Sequence, residues 1–153
     1  ISLFLPDDEI LLCSDAVVLS GFSRQLPEYS NPDLLRATLE RISSLNPRLL
    51  LSGRFQPLPR ERWEPAFEEN RKLIDIIETF LLRSIERSAA GVDLAELAGA
   101  VCARFSRPLT ASACRTIESH LMTLQSKGKI HLEGGRWRFG GGELLQIVRT
   151  KRG

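Results

Sequence analysis

The stretch that most constrains this chain is Glu9-Ile10-Leu11-Leu12-Cys13-Ser14-Asp15-Ala16, an apolar run that ends in a carboxylate followed by a small residue. Ile10 to Cys13 reads as a strand buried on both faces, and a charge set directly at its end must reach water or find a cation. Strand ends are where sites are built, so Asp15 is the first candidate functional residue. Ahead of it, Ile1-Ser2-Leu3-Phe4-Leu5 reads as a second short strand, and Pro6-Asp7-Asp8-Glu9 supplies the turn. The two strands form a hairpin that delivers Asp15 to a sheet edge or layer end.

Past Asp15 the chain runs through an irregular loop to Pro27. Asn31-Pro32-Asp33 then opens a helix with a cap residue, a first-turn proline and a first-turn acid, and Leu34, Leu35, Leu39, Ile42 and Leu45 follow at helical spacing. Asn46-Pro47 stops this helix, and Arg48-Leu49-Leu50-Leu51-Ser52-Gly53-Arg54 reads as a third strand running into a polar, glycine-containing end. Two prolines in four residues mark 57–62 as a short extended connector. From Trp63 to about Arg87 an amphipathic pattern places Phe67, Leu73, Ile74, Ile76, Ile77, Phe80, Leu81 and Ile85 on one stripe. Gly91-Val92-Asp93 is a stop followed by an N-cap, with Glu96 in capping-box position, and Pro108-Leu109-Thr110 starts a third helix ended by Gly128. Two short alternating strands flank Gly134-Gly135, a strong hairpin signal. Residues 140 to 153 are left open as a tail.

Composition narrows the classes. With 153 residues, 42% apolar and 26% charged, the chain has the balance of a soluble globular protein of one ordinary or two small domains. Its apolar runs fall well short of the ~20 residues of a membrane span, so no membrane association is expected. A net charge of +2 is too small to argue a nucleic-acid partner by itself. Cys13, Cys102 and Cys114 are odd in number and lack ligand spacing, which fits reduced thiols in a cytoplasmic protein, with Cys13 packed in the core.

The order of these elements carries a resemblance. Strand, turn, strand ending in Ser14-Asp15-Ala16, loop, helix opened by Asn31-Pro32-Asp33, and strand ending in Leu51-Ser52-Gly53-Arg54 resembles the second half of a metallo-β-lactamase-fold hydrolase, over residues 1 to 60. The resemblance implies that Asp15 falls on the position bridging two metal ions, usually zinc. It also puts Arg54 where a histidine ligand of the second ion is expected. A guanidinium has no free lone pair and stays protonated, so the resemblance implies a degenerate second metal site, in which Arg54 opposes the ion or pairs with Asp15. The alternative is a second site rescued by another ligand. The family's first metal motif, His-x-His-x-Asp-His, lies upstream of the hairpin, whereas the histidines here are His120 and His131, both expected to be solvent-facing or partly packed. A chain that starts at Ile1 is therefore expected to be a fragment, inactive alone, with zinc (one or two ions) held only together with the missing N-terminal half.

Helix, helix, helix and a two-stranded wing is similarly the order of a winged-helix domain, and 120–130 resembles the end of its third helix and first wing strand. Small winged-helix domains are a known C-terminal appendage of such hydrolases. The expectation is an α+β chain: a partial αββα sandwich (second half) over 1–56, a linker over 57–62, a three-helix winged-helix-like domain over 63–140 and a tail over 141–153. The expected function is that of a metallo-β-lactamase-superfamily hydrolase fragment, whose metal-activated water attacks an ester, thioester or related bond of a small-molecule substrate. Its C-terminal domain would wall the cleft or make a homodimer contact. The alternative is a non-catalytic relative whose winged helix binds nucleic acid or a protein partner. For that reading, Arg136 and Arg138 alternating with Trp137 and Phe139 offer a basic wing, but the same alternation describes a hairpin with one face packed on helices.

Overall fold

The computed structural model describes residues 2–13, 17, 19 and 25–140. Asp15 and the tail 141–153 lie outside the described residues. The first unit is a four-stranded sheet in the order β1 (Leu3–Leu5), β2 (Ile10–Leu12), β3 (Leu49–Leu51), β4 (Leu58–Pro59). β1 and β2 are the antiparallel hairpin, and β3 joins β2 in parallel through a crossover containing α1 (Pro32–Leu45). The Asn31 side chain caps α1 by accepting from the Leu34 N–H at 3.0 Å, and Asn46, at φ 50°, ends it in the left-handed conformation. The residues read as a connector are structured: Leu58–Pro59 pairs with β3 as an edge strand, where a missing proline N–H is tolerated, and Arg60 begins the next helix.

That helix, α2 (Arg60–Glu86), is 27 residues long and belongs to two cores. Its first half buries Trp63, Phe67 and Ile74 against the sheet, with Leu11, Leu39, Ile42, Leu50 and Leu58. Its second half buries Ile77, Leu81 and Ile85 against α3 (Leu94–Arg104), α4 (Ala111–Ser126) and the hairpin β5 (Ile130–Glu133)–β6 (Arg136–Phe139), with Leu97, Val101, Ile117, Leu121, Leu124 and Trp137. The capping box of α3 is present in both directions: Glu96 N–H donates to Asp93 Oδ1 at 2.8 Å and Asp93 N–H to Glu96 Oε2 at 3.0 Å. Gly134 and Gly135, both at positive φ, make the tight turn of the hairpin. Val92 extends the hairpin by exchanging two backbone hydrogen bonds with Trp137, at 3.0 and 2.8 Å. Among the described residues no helix is long and apolar enough to cross a membrane.

The second strand is not buried on both faces. Leu11, Leu50 and Leu58 point into the core, while the opposite face carries the row Leu3, Leu12, Leu51 and the row Leu5, Ile10, Leu49. Leu3 is 55%, Leu12 39% and Leu5 36% exposed. Both helices that pack on the sheet lie on one side, so an apolar run that sequence periodicity assigns to a doubly covered strand is covered once among the described residues.

Candidate functional site

Because β2 and β3 are parallel, their C-terminal ends open at the same edge of the sheet. Cys13 closes β2: its N–H donates to Leu51 O at 2.9 Å and its thiol to the same oxygen at 3.3 Å. Burial pushes the Cys13 thiol above its ordinary value, against the opposing effect of its hydrogen bonds, and the side chain is fully enclosed. This thiol is a packing group, as the sequence suggested, and no nucleophile. Beyond β3, Arg54 donates its backbone N–H to Ser52 Oγ at 3.1 Å. Ser52, Gly53, Arg54, Phe55, Gln56 and Arg62 line an open depression of ≈ 650 Å³ at this tip.

Glu28, in the segment entering α1, is held below the usual carboxylate range first by Arg115 and Ser112, which donate to it at 2.8 and 2.6 Å, and in smaller part by the charge of Arg54. Arg54 follows the end of the third strand, where the sequence placed it. Asp15 lies two residues past Cys13, outside the described residues. Among the described residues no group of three His, Cys, Asp or Glu side chains could hold a metal ion. A thiol turned into a carbonyl, hydroxyls and a guanidinium do not make a donor set, so the described part of the tip does not by itself fit a metal.

A second constellation was not legible in the sequence. His120 is not solvent-facing or partly packed but wholly buried, because α4 is covered on its second side by α1 and by residues 26–29. Tyr29 Oη lies 2.6 Å from His120 Nε2, with the rings edge to face at 5.5 Å. On the other side of the ring, His120 Nδ1 has no hydrogen-bond partner and its nearest carboxylate, Glu78 Oε1, is 3.8 Å away. Arg36 of α1 binds Glu78 through both nitrogens at 3.2 and 3.1 Å and reaches Asp75 at 2.7 Å and Asp33 at 2.8 Å, while Lys127, at the C-terminal cap of α4, also reaches Asp33 at 2.8 Å. The cluster fastens α1, α2 and α4 to one another at the seam between the two cores.

Its protonation follows from these contacts. Burial pushes the Glu78 carboxyl up, but the His120 ring and above all the Arg36 guanidinium outweigh it and hold the group at about 2. At 3.8 Å the histidine contact is electrostatic rather than a hydrogen bond, which leaves Arg36 as the principal partner. Burial lowers His120, with Glu78 opposing, and burial together with Glu78 raises Tyr29. At neutral pH the set is a phenol, a neutral imidazole and a carboxylate. The phenol O–H then donates to Nε2, which puts the imidazole proton on Nδ1, facing Glu78. The His120 ring is sealed and the Tyr29 phenol is held protonated, and with Arg36 gripping Glu78 the set acts as a fastening. His131 is half-buried, with Nδ1 2.6 Å from Gly140 O. In the sequence Glu78 directly follows Ile77 of the α2 stripe, among other charges, and nothing local sets it apart.

No protein-family model matches the sequence, and no curated protein matches it. Among solved structures the chain is similar to a metallo-beta-lactamase family protein from Thermus thermophilus, with 20% identity and a TM-score of 0.60 over 90% of this chain and 44% of that one. It is also similar to a beta-lactamase domain protein from Burkholderia ambifaria, with 17% identity and a TM-score of 0.69 over 91% of this chain and 43% of that one. At such identities the likeness is one of fold, and the chain spans less than half the length of either structure.

Proposed function

We propose that this chain is the second half of a metallo-β-lactamase-fold hydrolase, with Asp15 a metal ligand, Arg54 in place of a second-site histidine, and a winged-helix-like domain built from α2, α3, α4 and the β5–β6 hairpin. The observation that carries this reading is an apolar face of the sheet left uncovered among the described residues. Leu3, Leu5, Ile10, Leu12, Leu49 and Leu51 form two leucine-rich rows on a face that neither helix covers, and a sheet uncovered on an apolar side calls for another layer. A chain that spans less than half of its structural neighbours leaves room for that layer. In the whole protein, zinc bound by Asp15 and upstream histidines would activate water against an ester, thioester or related bond of a small molecule.

The helical unit is better suited to walling the cleft than to reading DNA. A recognition helix needs a free face, and α4 buries Thr116, Ser119, His120 and Thr123 in addition to its core stripe. On the hairpin, Arg136 is engaged by Gly91 O at 3.1 Å and Glu96 at 2.9 Å, and Arg138 by Ala89 O at 2.9 Å. These arginines serve the hairpin's own attachment. Trp137 packs in the core, as one-sided packing of the wing requires.

The test is metal content of the full-length gene product carrying this chain, purified with and without Asp15→Ala. Wild type is expected to hold one equivalent of zinc, Asp15→Ala to lose it, and Arg54→His to gain toward a second. Equal metal in wild type and Asp15→Ala removes Asp15 from the site and the hydrolase reading with it.

A further inference from the structure

The groove between the second half of α2 and the C-terminal end of α3 encloses ≈ 380 Å³ and brings three arginines together. Arg83 stands on the last turn of α2 and Arg87 caps its C-terminal end, and Arg104 comes from α3 with its guanidinium 5.6 Å from the centre of the Phe80 ring. Thr79 and Ser84 add two hydroxyls to the same lining. Among the described residues, none of the three guanidiniums has a carboxylate within ion-pair range. The one acid of the groove, Asp75, is held by Arg36 at 2.7 Å.

Cations near helix C-termini are favourable one at a time, which accounts for an arginine at the end of each helix. It does not account for three converging on one cavity, with two of them a like-charge pair at i and i+4, an arrangement that opposes the helix unless an anion intervenes. The Arg104 guanidinium, lying over the Phe80 ring, is held in place, so it loses less side-chain freedom on binding.

We infer that this groove is a phosphate-binding site. Three fork-shaped donors and two hydroxyls exceed what the two oxygens of a carboxylate accept, and match a tetrahedral oxyanion with a second negative charge. The groove has room for more than a bare ion, and two sources of phosphate fit it, a phosphorylated small molecule and the backbone of a nucleic-acid strand. The groove shares no lining residue with the depression at the strand tip, and the inference stands whether or not a metal binds there.

The experiment is calorimetric titration of the full chain at low salt with two probes, inorganic pyrophosphate and a single-stranded oligonucleotide. It compares wild type with Arg83→Gln/Arg104→Gln and with Arg41→Gln, an exposed charge of α1 outside the groove. Each lost charge-assisted contact is expected to weaken binding about tenfold, so the double variant should lose most of its affinity while Arg41→Gln stays within about twofold. A strand that outbinds pyrophosphate, with a log affinity against log salt slope of about −0.7 per phosphate contacted, assigns the site to a nucleic-acid backbone. Pyrophosphate bound as tightly as the strand assigns it to a small phosphorylated ligand. The inference is overturned if neither probe binds wild type, if the double variant titrates as wild type does, or if Arg41→Gln loses as much as the double variant. All three arginines are outside both cores, so circular dichroism of the variants should match wild type.

Discussion

Replacing Glu78 by Gln keeps the side-chain size and removes the charge that Arg36 grips from α1 and His120 faces from α4. The Glu78 side chain is 14% exposed, and its carboxyl is held at about 2 against 4.5 for an unperturbed group. At 1.36 kcal/mol per pKa unit this is about 3 kcal/mol of stability at neutral pH, and about 2 kcal/mol once the 3.8 Å histidine contact is discounted. The sign is set by proton binding. Between 4.5 and about 2 the unfolded chain has taken up this proton and the folded chain has not, so wild-type stability falls as pH falls through that window. His120, lowered by burial, adds a loss of the same sign that begins near its unfolded value, in both proteins. Urea unfolding across the pH range checks the reasoning. At neutral pH Glu78→Gln should be less stable by about 2 to 3 kcal/mol, and the gap should close progressively below 4.5. A gap that is the same at neutral and acid pH would mean that the seam gains nothing from an ionised Glu78, and the fastening role assigned to it would be wrong.

Three further substitutions test the packing. Leu50→Ala empties a fully buried position in β3 and should cost about 2 to 5 kcal/mol in urea unfolding. Gly91→Ala places a methyl 3.0 Å from Trp137 O and 3.1 Å from Arg136 Cβ at a φ of +76°, and should cost about 1 to 3 kcal/mol with a changed near-ultraviolet signal from Trp137. Asp93→Ala removes the cap of α3 and should lower stability by about 1 kcal/mol while leaving that signal intact.

Where a residue's neighbours are close in sequence, its role could be read directly. Asn31 and Asp93 each cap the helix that follows, and Gly134-Gly135 turns its hairpin, because these choices depend on backbone groups within three residues. Where the deciding contact is long-range, it could not. His120 meets Tyr29 ninety-one positions away and Glu78 meets Arg36 forty-two positions away, so no local pattern distinguishes this seam from ordinary surface charge. The apolar run through Leu12 gave the right strand and the wrong burial, since coverage of a face depends on which layers are present rather than on the strand. Pro57 and Pro59 suggested a break between units, yet proline at an edge strand and before a helix permits continuity just as well, and here α2 begins directly after Pro59.

That continuity has a thermodynamic consequence. α2 carries Trp63, Phe67 and Ile74 in the sheet core and Ile77, Leu81 and Ile85 in the helical core, with no break between them. The seam adds ionic contacts from Arg36 and Lys127 across the same boundary. Unfolding either core strips apolar partners from half of a helix whose other half is still packed, so the two cores should melt together. The chain supplies its own reporters, because Trp63 lies in the sheet core, donating to Pro47 O at 3.1 Å, and Trp137 lies in the helical core. Urea unfolding of Trp137→Phe and Trp63→Phe, each followed by the fluorescence of the remaining tryptophan, should give midpoints that coincide with the backbone transition seen by circular dichroism of the same variant. Fluorescence and circular dichroism midpoints separated within one variant would show that α2 is a hinge between independent units, and the helical unit would then be free to move over the strand tips rather than fixed beside them.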